Sequence, residues 1–237
     1  MNTIKLSSRL QAVAELVKPE ARVVDVGTDH GHIPVWLIQN EVSPYVYASD
    51  IAQGPLSRSR ASAEKYGVDG KISFYLCDGL DLCRAEDVDT VIIAGMGGET
   101  AVNILKRAPW TREKEVILQP MSKLEVLRMW LYENGYAITR EQLVRDSGVI
   151  YTIIKTSAGR PSDFPTGAEL LVGREAVPRE LHLELIKEQV KKISRAIDGM
   201  KSADNACTEM AGRLGEMQSV LRGLNLMLEG EGNGKNL

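Results

Sequence analysis

The sequence predicts an α/β fold, a largely parallel sheet covered on both faces and finished by an antiparallel hairpin, followed by a separate pair of heptad helices. Three observations predict it. Short apolar runs alternate with amphipathic stretches from residue 22 to about residue 156, the pattern of a sheet with helices on both faces. Two extended runs near the end of that region are separated only by the turn-rich Arg145-Asp146-Ser147-Gly148. Beyond residue 178 the apolar spacing changes to alternating steps of three and four.

The elements follow in order. A β-branched run, Arg22-Val23-Val24, leads into Asp25-Val26-Gly27-Thr28-Asp29-His30-Gly31, so a strand over 23–27 feeds a glycine turn and then a helix. Strands over 45–50 and 72–78 bring Asp50 and Asp78 to strand ends in the same way. Thr90-Val91-Ile92-Ile93-Ala94 and Glu115-Val116-Ile117-Leu118 read as two further buried strands. After Gln119-Pro120 comes a helix carrying Leu124, Leu127, Arg128 and Leu131, ending near Asn134-Gly135. Runs over 136–144 and 149–156 then form the hairpin. A parallel sheet finished like this is the architecture of class I, Rossmann-like methyltransferases, and it disfavours a plain dinucleotide dehydrogenase.

Residues 1–158 therefore form the sheet domain and 159–177, rich in Gly and Pro, a connector. Over 178–229, Leu183, Ile186, Val190, Ile193, Ile197 and Met200 form one heptad set, and Met210, Leu214, Met217, Leu221, Leu224 and Leu228 a second. Continuing the first register would put Asp204 in the seam, so Gly199 and Lys201-Ser202-Ala203-Asp204 mark a turn between two antiparallel coiled-coil helices. The tail over 230–237 reads as disordered.

Composition narrows the function classes. The chain of 237 residues is 43% hydrophobic, enough for a substantial core, and its net charge of −3 argues against gripping nucleic acid through overall basicity. Any such role must rest on a local basic face. No apolar run approaches membrane-spanning length and the N-terminus resembles no targeting signal, so the cytoplasm is the expected compartment. Cys77, Cys83 and Cys207 are odd in number and lack paired C-x-x-C spacing, which suggests reduced thiols.

The chemistry-bearing residues cluster at the predicted strand ends. The turn after the first strand, with Asp25, Gly27, Thr28, Asp29, His30 and Gly31, reads as part of a nucleotide-cofactor cleft. Asp50 and the neighbouring Ile51 suit ribose hydroxyls. Asp78-Gly79 suits an adenine amine, a recurrent feature of S-adenosylmethionine enzymes. Asp29 would put negative charge where a pyrophosphate sits but could meet the ammonium of a methionine moiety. The plain alternatives are strand-end caps for Asp50 and Asp78 and a helix cap for Asp29. His30 and His32 lack a third ligand at matching spacing, so no metal is expected. Ala94-Gly95-Met96-Gly97-Gly98 lies where donor and acceptor meet in this architecture, and its glycines allow close approach to a flat ligand. It replaces the Asp- or Asn-Pro-Pro-aromatic motif that holds exocyclic amines, which leaves ring nitrogen, oxygen or carbon acceptors open. Arg9, Arg58, Arg60, Lys123 and Arg128 are candidate phosphate contacts near this edge. Lys187, Lys191 and Arg195 make a further basic stripe, readable equally as a solvated face.

Taken together, Asp25-Val26-Gly27-Thr28-Asp29-His30-Gly31-His32-Ile33-Pro34, Ser49-Asp50-Ile51 with Gly54-Pro55-Leu56, Asp78-Gly79-Leu80, Ile93-Ala94-Gly95-Met96-Gly97-Gly98 and Leu118-Gln119-Pro120 resemble the bacterial tRNA adenine N1-methyltransferases that act at position 22. Ser8-Arg9-Leu10 and the heptads extend the resemblance over nearly the whole chain. It implies S-adenosylmethionine as donor, tRNA as partner and a coiled-coil appendage that helps engage tRNA. In that setting Asp29 is expected to stabilise charge on the acceptor adenine, with Gly95, Met96 and Gln119 shaping its pocket. The different-class readings are a non-catalytic, S-adenosylmethionine-sensing RNA-binding protein and a methyltransferase of small metabolites or proteins. Oligomeric state is open, with a monomer preferred.

Overall fold

The computed structural model describes residues 3–159, 163–201 and 208–230. Its first unit runs from Met1 to Pro161 and holds a seven-stranded sheet. The elements are α1 (Ser8–Ala14), β1 (Val23–Val26), α2 (His32–Gln39), β2 (Val46–Asp50), α3 (Gln53–Lys65), β3 (Ile72–Leu76), β4 (Thr90–Gly97), α4 (Gly98–Arg107), β5 (Glu115–Ser122), α5 (Leu124–Glu133), β6 (Tyr136–Asp146) and β7 (Val149–Ala158). Strand order is β3-β2-β1-β4-β5-β7-β6. The first five spatial neighbours are parallel, whereas β7 pairs antiparallel to both β5 and β6. The expected hairpin thus enters the sheet through its second strand. The chain order reverses between β1 and β4, and ligands of open α/β sheets bind at the carboxyl ends beside such a reversal.

The strands are continuously apolar because both sheet faces are covered. Val23, Val46, Ile92, Ile117 and Ile153 pack on one face with Ala12 and Val13 of α1, Val35 and Leu37 of α2 and Ala63 of α3. Their neighbours Val24, Val91, Ile93, Val116, Leu118 and Ile154 point the other way, onto Ala101 and Leu105 of α4 and Leu127 and Leu131 of α5. Period-two alternation feeds two cores, and each fully buried Val, Ile or Leu contributes roughly 1.5–3 kcal/mol. Strand ends differ from expectation by one to four residues. β3 stops at Leu76, so Asp78 stands in the following loop, and β4 and β5 run on to Gly97 and Ser122.

The second unit begins at Ser162. It contains α6 (Gly167–Val172), α7 (Arg179–Lys201) and α8 (Thr208–Glu229). Much of the expected connector is therefore structured. Thr166 and Glu169 form a reciprocal capping box that starts α6, and Ala168 and Val172 join Ile186, Ile193, Ile197 and Leu224 in a core. Val190, Leu214, Met217, Leu221 and Leu228 pack around it, so the seam positions of both heptad sets meet. Gly199 is a correction: it lies inside α7, which continues to Lys201. A proposed Cβ there meets nothing within 4 Å, so an exposed glycine was tolerated in the helix at modest cost. The turn expected at Ser202–Asp204, and with it the direction change, falls outside the described residues, as does the tail over 231–237.

Candidate functional site

Three groups of residues meet at the carboxyl ends of β1, β2, β4 and β5 and in the loop after β3. The glycine turn comes first. Gly27 and Thr28 N–H groups both donate to the Ser49 carbonyl, at 2.8 and 3.1 Å. Those amides fasten the turn to β2, which removes them from any phosphate cradle. Asp25 is buried, and burial pushes its carboxyl up to about 6 against the opposing pull of a Thr28 hydrogen bond, with Asp50 raising it further. Gly31 has a packing reason: a Cβ there would stand 2.3 Å from the Ser59 hydroxyl and 3.1 Å from the Ser59 backbone, so its absence lets α3 close onto the turn.

Asp29 projects outward and pairs with Arg58 at 2.5 Å, while His30 Nε2 lies 3.5 Å from its other oxygen. The stacked His30 and His32 rings, with Lys5, Arg58 and Lys65, line an open cleft of about 650 Å³. Desolvation, followed by His30, lowers the His32 pKa. Among the described residues no cluster of three or more His, Cys, Asp or Glu could hold a metal ion.

The second group is the edge formed by β2 and the loop after β3. Asp50 Oδ1 accepts from the Ala52 N–H at 2.8 Å, and the next side chain, Ile51, is 71% exposed, an apolar surface beside the acid. Asp78 Oδ2 accepts from Arg107 at 2.6 Å, and a second Arg107 nitrogen donates to the Asp78 carbonyl at 3.1 Å. The guanidinium holds the Asp78 carboxyl below the usual carboxylate range. Gly79 is held by the Ser49 hydroxyl, which donates to its carbonyl at 2.9 Å. Sequence reading missed Arg107, because a basic residue in the last turn of a helix is ordinary.

The third group joins α1 to the ends of β4 and β5. Gln119 is fully buried; its Oε1 accepts from an Arg9 guanidinium nitrogen and from the Gly95 N–H at 3.2 Å, and its Nε2 donates to the Pro120 carbonyl at 3.1 Å. The amide is thereby fixed in one orientation. Arg9 also lies over the Tyr151 ring, 5.5 Å from its centre. Ala94 is half-buried and Gly95 exposed, so this edge is open to a ligand. Met96 instead packs against the core under α4, and its methyl covers Gly27. Gly98 answers to chain packing: a Cβ would come within 2.3 Å of the Lys123 carbonyl, so the β4–α4 and β5–α5 loops touch backbone to backbone there. Of the glycines expected to approach a flat ligand, Gly95 alone among 95, 97 and 98 is exposed.

The basic candidates separate. Arg128 is a correction: it is 3% exposed and bound at 2.7 Å to the buried Glu141, so it ties α5 to β6 and cannot reach a phosphate. Its heptad-like spacing with Leu124, Leu127 and Leu131 put it on the buried face of α5. Arg60 is exposed and stacks over Phe74, and Lys123 is exposed at the start of α5. Lys187, Lys191 and Arg195 are exposed on α7. Cys77 and Cys83 are free thiols, and burial pushes Cys83 up to about 12, far from a reactive thiolate. Cys207 lies outside the described residues.

Known proteins resemble this chain in sequence and fold. A family model described as a methyltransferase domain matches residues 6–154. The tRNA (adenine(22)-N(1))-methyltransferase of Bacillus subtilis is 33% identical over 175 residues, 73% of this chain and 74% of that protein. The crystal structure of the B. subtilis m1A22 tRNA methyltransferase TrmK superposes with a TM-score of 0.79 at 28% identity, covering 92% of this chain and 99% of that one. A putative tRNA (m1A22) methyltransferase of Streptococcus pneumoniae, in complex with S-adenosyl-L-methionine, superposes with a TM-score of 0.77 at 25% identity, covering 92% and 100%.

Proposed function

The chain belongs to the family of bacterial tRNA (adenine(22)-N(1))-methyltransferases, and from that premise we propose that it transfers a methyl group from S-adenosylmethionine to N1 of an adenine in tRNA, at position 22 by kinship. The observation that carries the reading is the convergence, on one sheet edge, of a nucleoside-binding set with a fixed polar pocket. Asp50, Ile51 and Asp78 make the first; Arg9, Gln119 and Gly95 make the second. Such a substrate fits the cytoplasm.

The residues suit this donor better than a dinucleotide. The amides of Gly27 and Thr28 are spent on Ser49, and Asp29 would repel a phosphate. We assign the ribose hydroxyls to the unengaged oxygen of Asp50, the adenine face to Ile51, the adenine amine to Asp78 with Gly79, and the methionine ammonium to Asp25 and Asp29 with the turn residues Thr28 and His30. When bound, S-adenosylmethionine supplies an electrophilic sulfonium methyl group.

The protein's own task is alignment. Adenine N1 carries an in-plane lone pair and needs no base before attack, so the pocket must expose it, exclude water and hold it in line. Gly95 and Ala94 leave room for the ring, and Gln119 cannot rotate to offer competing donors because both ends of its amide are bound. Methylation leaves the adenine cationic. We assign Asp29, paired with Arg58, to stabilising that charge; no proton need be abstracted before attack. Drawing the base from its stack costs a few kcal/mol, and backbone contacts from Arg9, Arg58, Arg60, Lys123 and the α7 stripe would offset it.

The test is direct. Unmodified tRNA incubated with the protein and labelled donor, digested and analysed by mass spectrometry, should yield 1-methyladenosine. Only N6-methyladenosine, or label in metabolites and never in tRNA, overturns the proposal.

A further inference from the structure

We propose that Asp146, at the tip of the β6–β7 hairpin, is a positioning residue for methyl transfer that acts by fixing Arg9. The inference rests on the function proposed above. Asp146 Oδ2 accepts from the Arg9 N–H at 3.1 Å across 137 residues of sequence, and the Ser7 hydroxyl also bonds this carboxyl. The Ser147 hydroxyl donates to the other oxygen, Oδ1, at 3.2 Å. Ser147 and Gly148 both have positive φ, 49° and 83°, so the tight turn holds the carboxylate facing α1.

The local alternative is weak. Ser7 is the N-cap of α1, but its hydroxyl reaches the Leu10 N–H only at 3.4 Å, which leaves the first turn of this seven-residue helix dependent on the hairpin. From that turn the Arg9 side chain runs over Tyr151, the third residue of β7, to Gln119 Oε1. Gln119 in turn holds Gly95 N–H at the open edge of β4. One chain of contacts therefore links the hairpin tip to the pocket, and its two fixed ends belong to the same sheet. Arg9 would use its remaining N–H groups on the target nucleotide, where a misplacement of about 1 Å can cost on the order of 10²-fold in rate. Without Asp146 the first turn of α1 loses its anchor, and Arg9 loses its position while keeping its charge.

A double-mutant cycle separates positioning from simple stabilisation. In the full-length protein, Asp146→Ala should lower kcat/KM for tRNA by about 10- to 100-fold, with S-adenosylmethionine affinity within twofold of wild type. Asp146→Asn, whose amide oxygen still accepts from Arg9 N–H and Ser7, should fall between the two and covers the case in which the alanine variant folds poorly. In an Arg9→Ala background, where the backbone N–H remains but the guanidinium is gone, either change at Asp146 should lower kcat/KM less than twofold further. Equal losses in both backgrounds, or an unaltered rate for both single variants at Asp146, overturn the inference. Wild-type protein that binds donor yet forms no 1-methyladenosine overturns the functional reading instead, so the two failures are distinct.

Discussion

At the scale of single residues, the acids of the sheet edge carry the sharpest expectations. Asp50 and Asp78 each have one oxygen committed, to the Ala52 N–H and to Arg107, and the proposal gives the other to the cofactor. Asp50→Ala and Asp78→Ala should each weaken S-adenosylmethionine binding by roughly 1.5–3 kcal/mol, the usual value of a hydrogen bond to an ionised group. Titration calorimetry checks this, and unchanged affinity in both variants would remove the cofactor assignment. Asp25 adds a pH dependence. Its folded pKa is raised from 3.8 to about 6, so the folded chain binds the proton more tightly than the unfolded one. The stability this confers is full below about pH 4 and lost as pH rises through 6. Asp25→Asn should therefore stabilise the ligand-free protein at pH 7.5, by up to ~3 kcal/mol, and flatten thermal stability between pH 4 and 6. If the methionine ammonium sits beside Asp25, donor affinity in the wild type should rise with pH through about 6, because a cation favours the ionised carboxylate. Affinity that is flat from pH 5 to 8 would place the ammonium elsewhere.

At the scale of elements, the contacts between loops and helices decide what the site can tolerate. The Arg128–Glu141 pair joins α5 to β6 inside the core, and Arg128→Ala would leave a buried carboxylate without its partner. A loss of roughly 3–5 kcal/mol is expected, measurable by denaturant unfolding, with tRNA affinity of the folded fraction unchanged. Weakened tRNA binding by a fully stable Arg128→Ala protein would restore the phosphate-contact reading. Gly98 sets a second limit, since its hydrogen faces the Lys123 carbonyl where the β4–α4 and β5–α5 loops meet. Gly98→Ala must push those loops apart and should lower both thermal stability and turnover, whereas an alanine at exposed Gly199 should leave turnover unchanged and stabilise α7 by up to about 1 kcal/mol. Equal effects at the two glycines would contradict the packing argument.

At the scale of the molecule, the division after Pro161 separates every proposed cofactor residue from the helical unit. A chain ending at Pro161 should fold and bind S-adenosylmethionine, yet bind tRNA poorly and methylate it slowly. In the full-length protein, reversing Lys187, Lys191 and Arg195 to Glu should lower tRNA affinity and flatten its dependence on salt, because fewer counterions are released. Should α7 and α8 instead serve self-association, truncation would change the mass in solution by light scattering while charge reversal left tRNA affinity alone. Full activity of the truncated chain would refute an RNA-capturing role for the second unit.

The sequence alone determined the sheet, its closing hairpin, the heptad helices and the three acids at the edge, because each is written in short-range signals: period-two burial, steps of three and four, and turn residues between apolar runs. It misjudged positions whose meaning depends on a partner distant in the chain. Arg128 reads as a surface cation until Glu141 is seen beside it, and Gly98 as a ligand cradle until the Lys123 carbonyl fills its space. Arg107 and Asp146 gave no signal at all, since an arginine closing a helix and an aspartate opening a turn are common for local reasons. Only the folded sheet brings Arg107 to Asp78 and the hairpin tip to Arg9, because pairing across 29 and 137 residues is set by strand order and not by sequence neighbours.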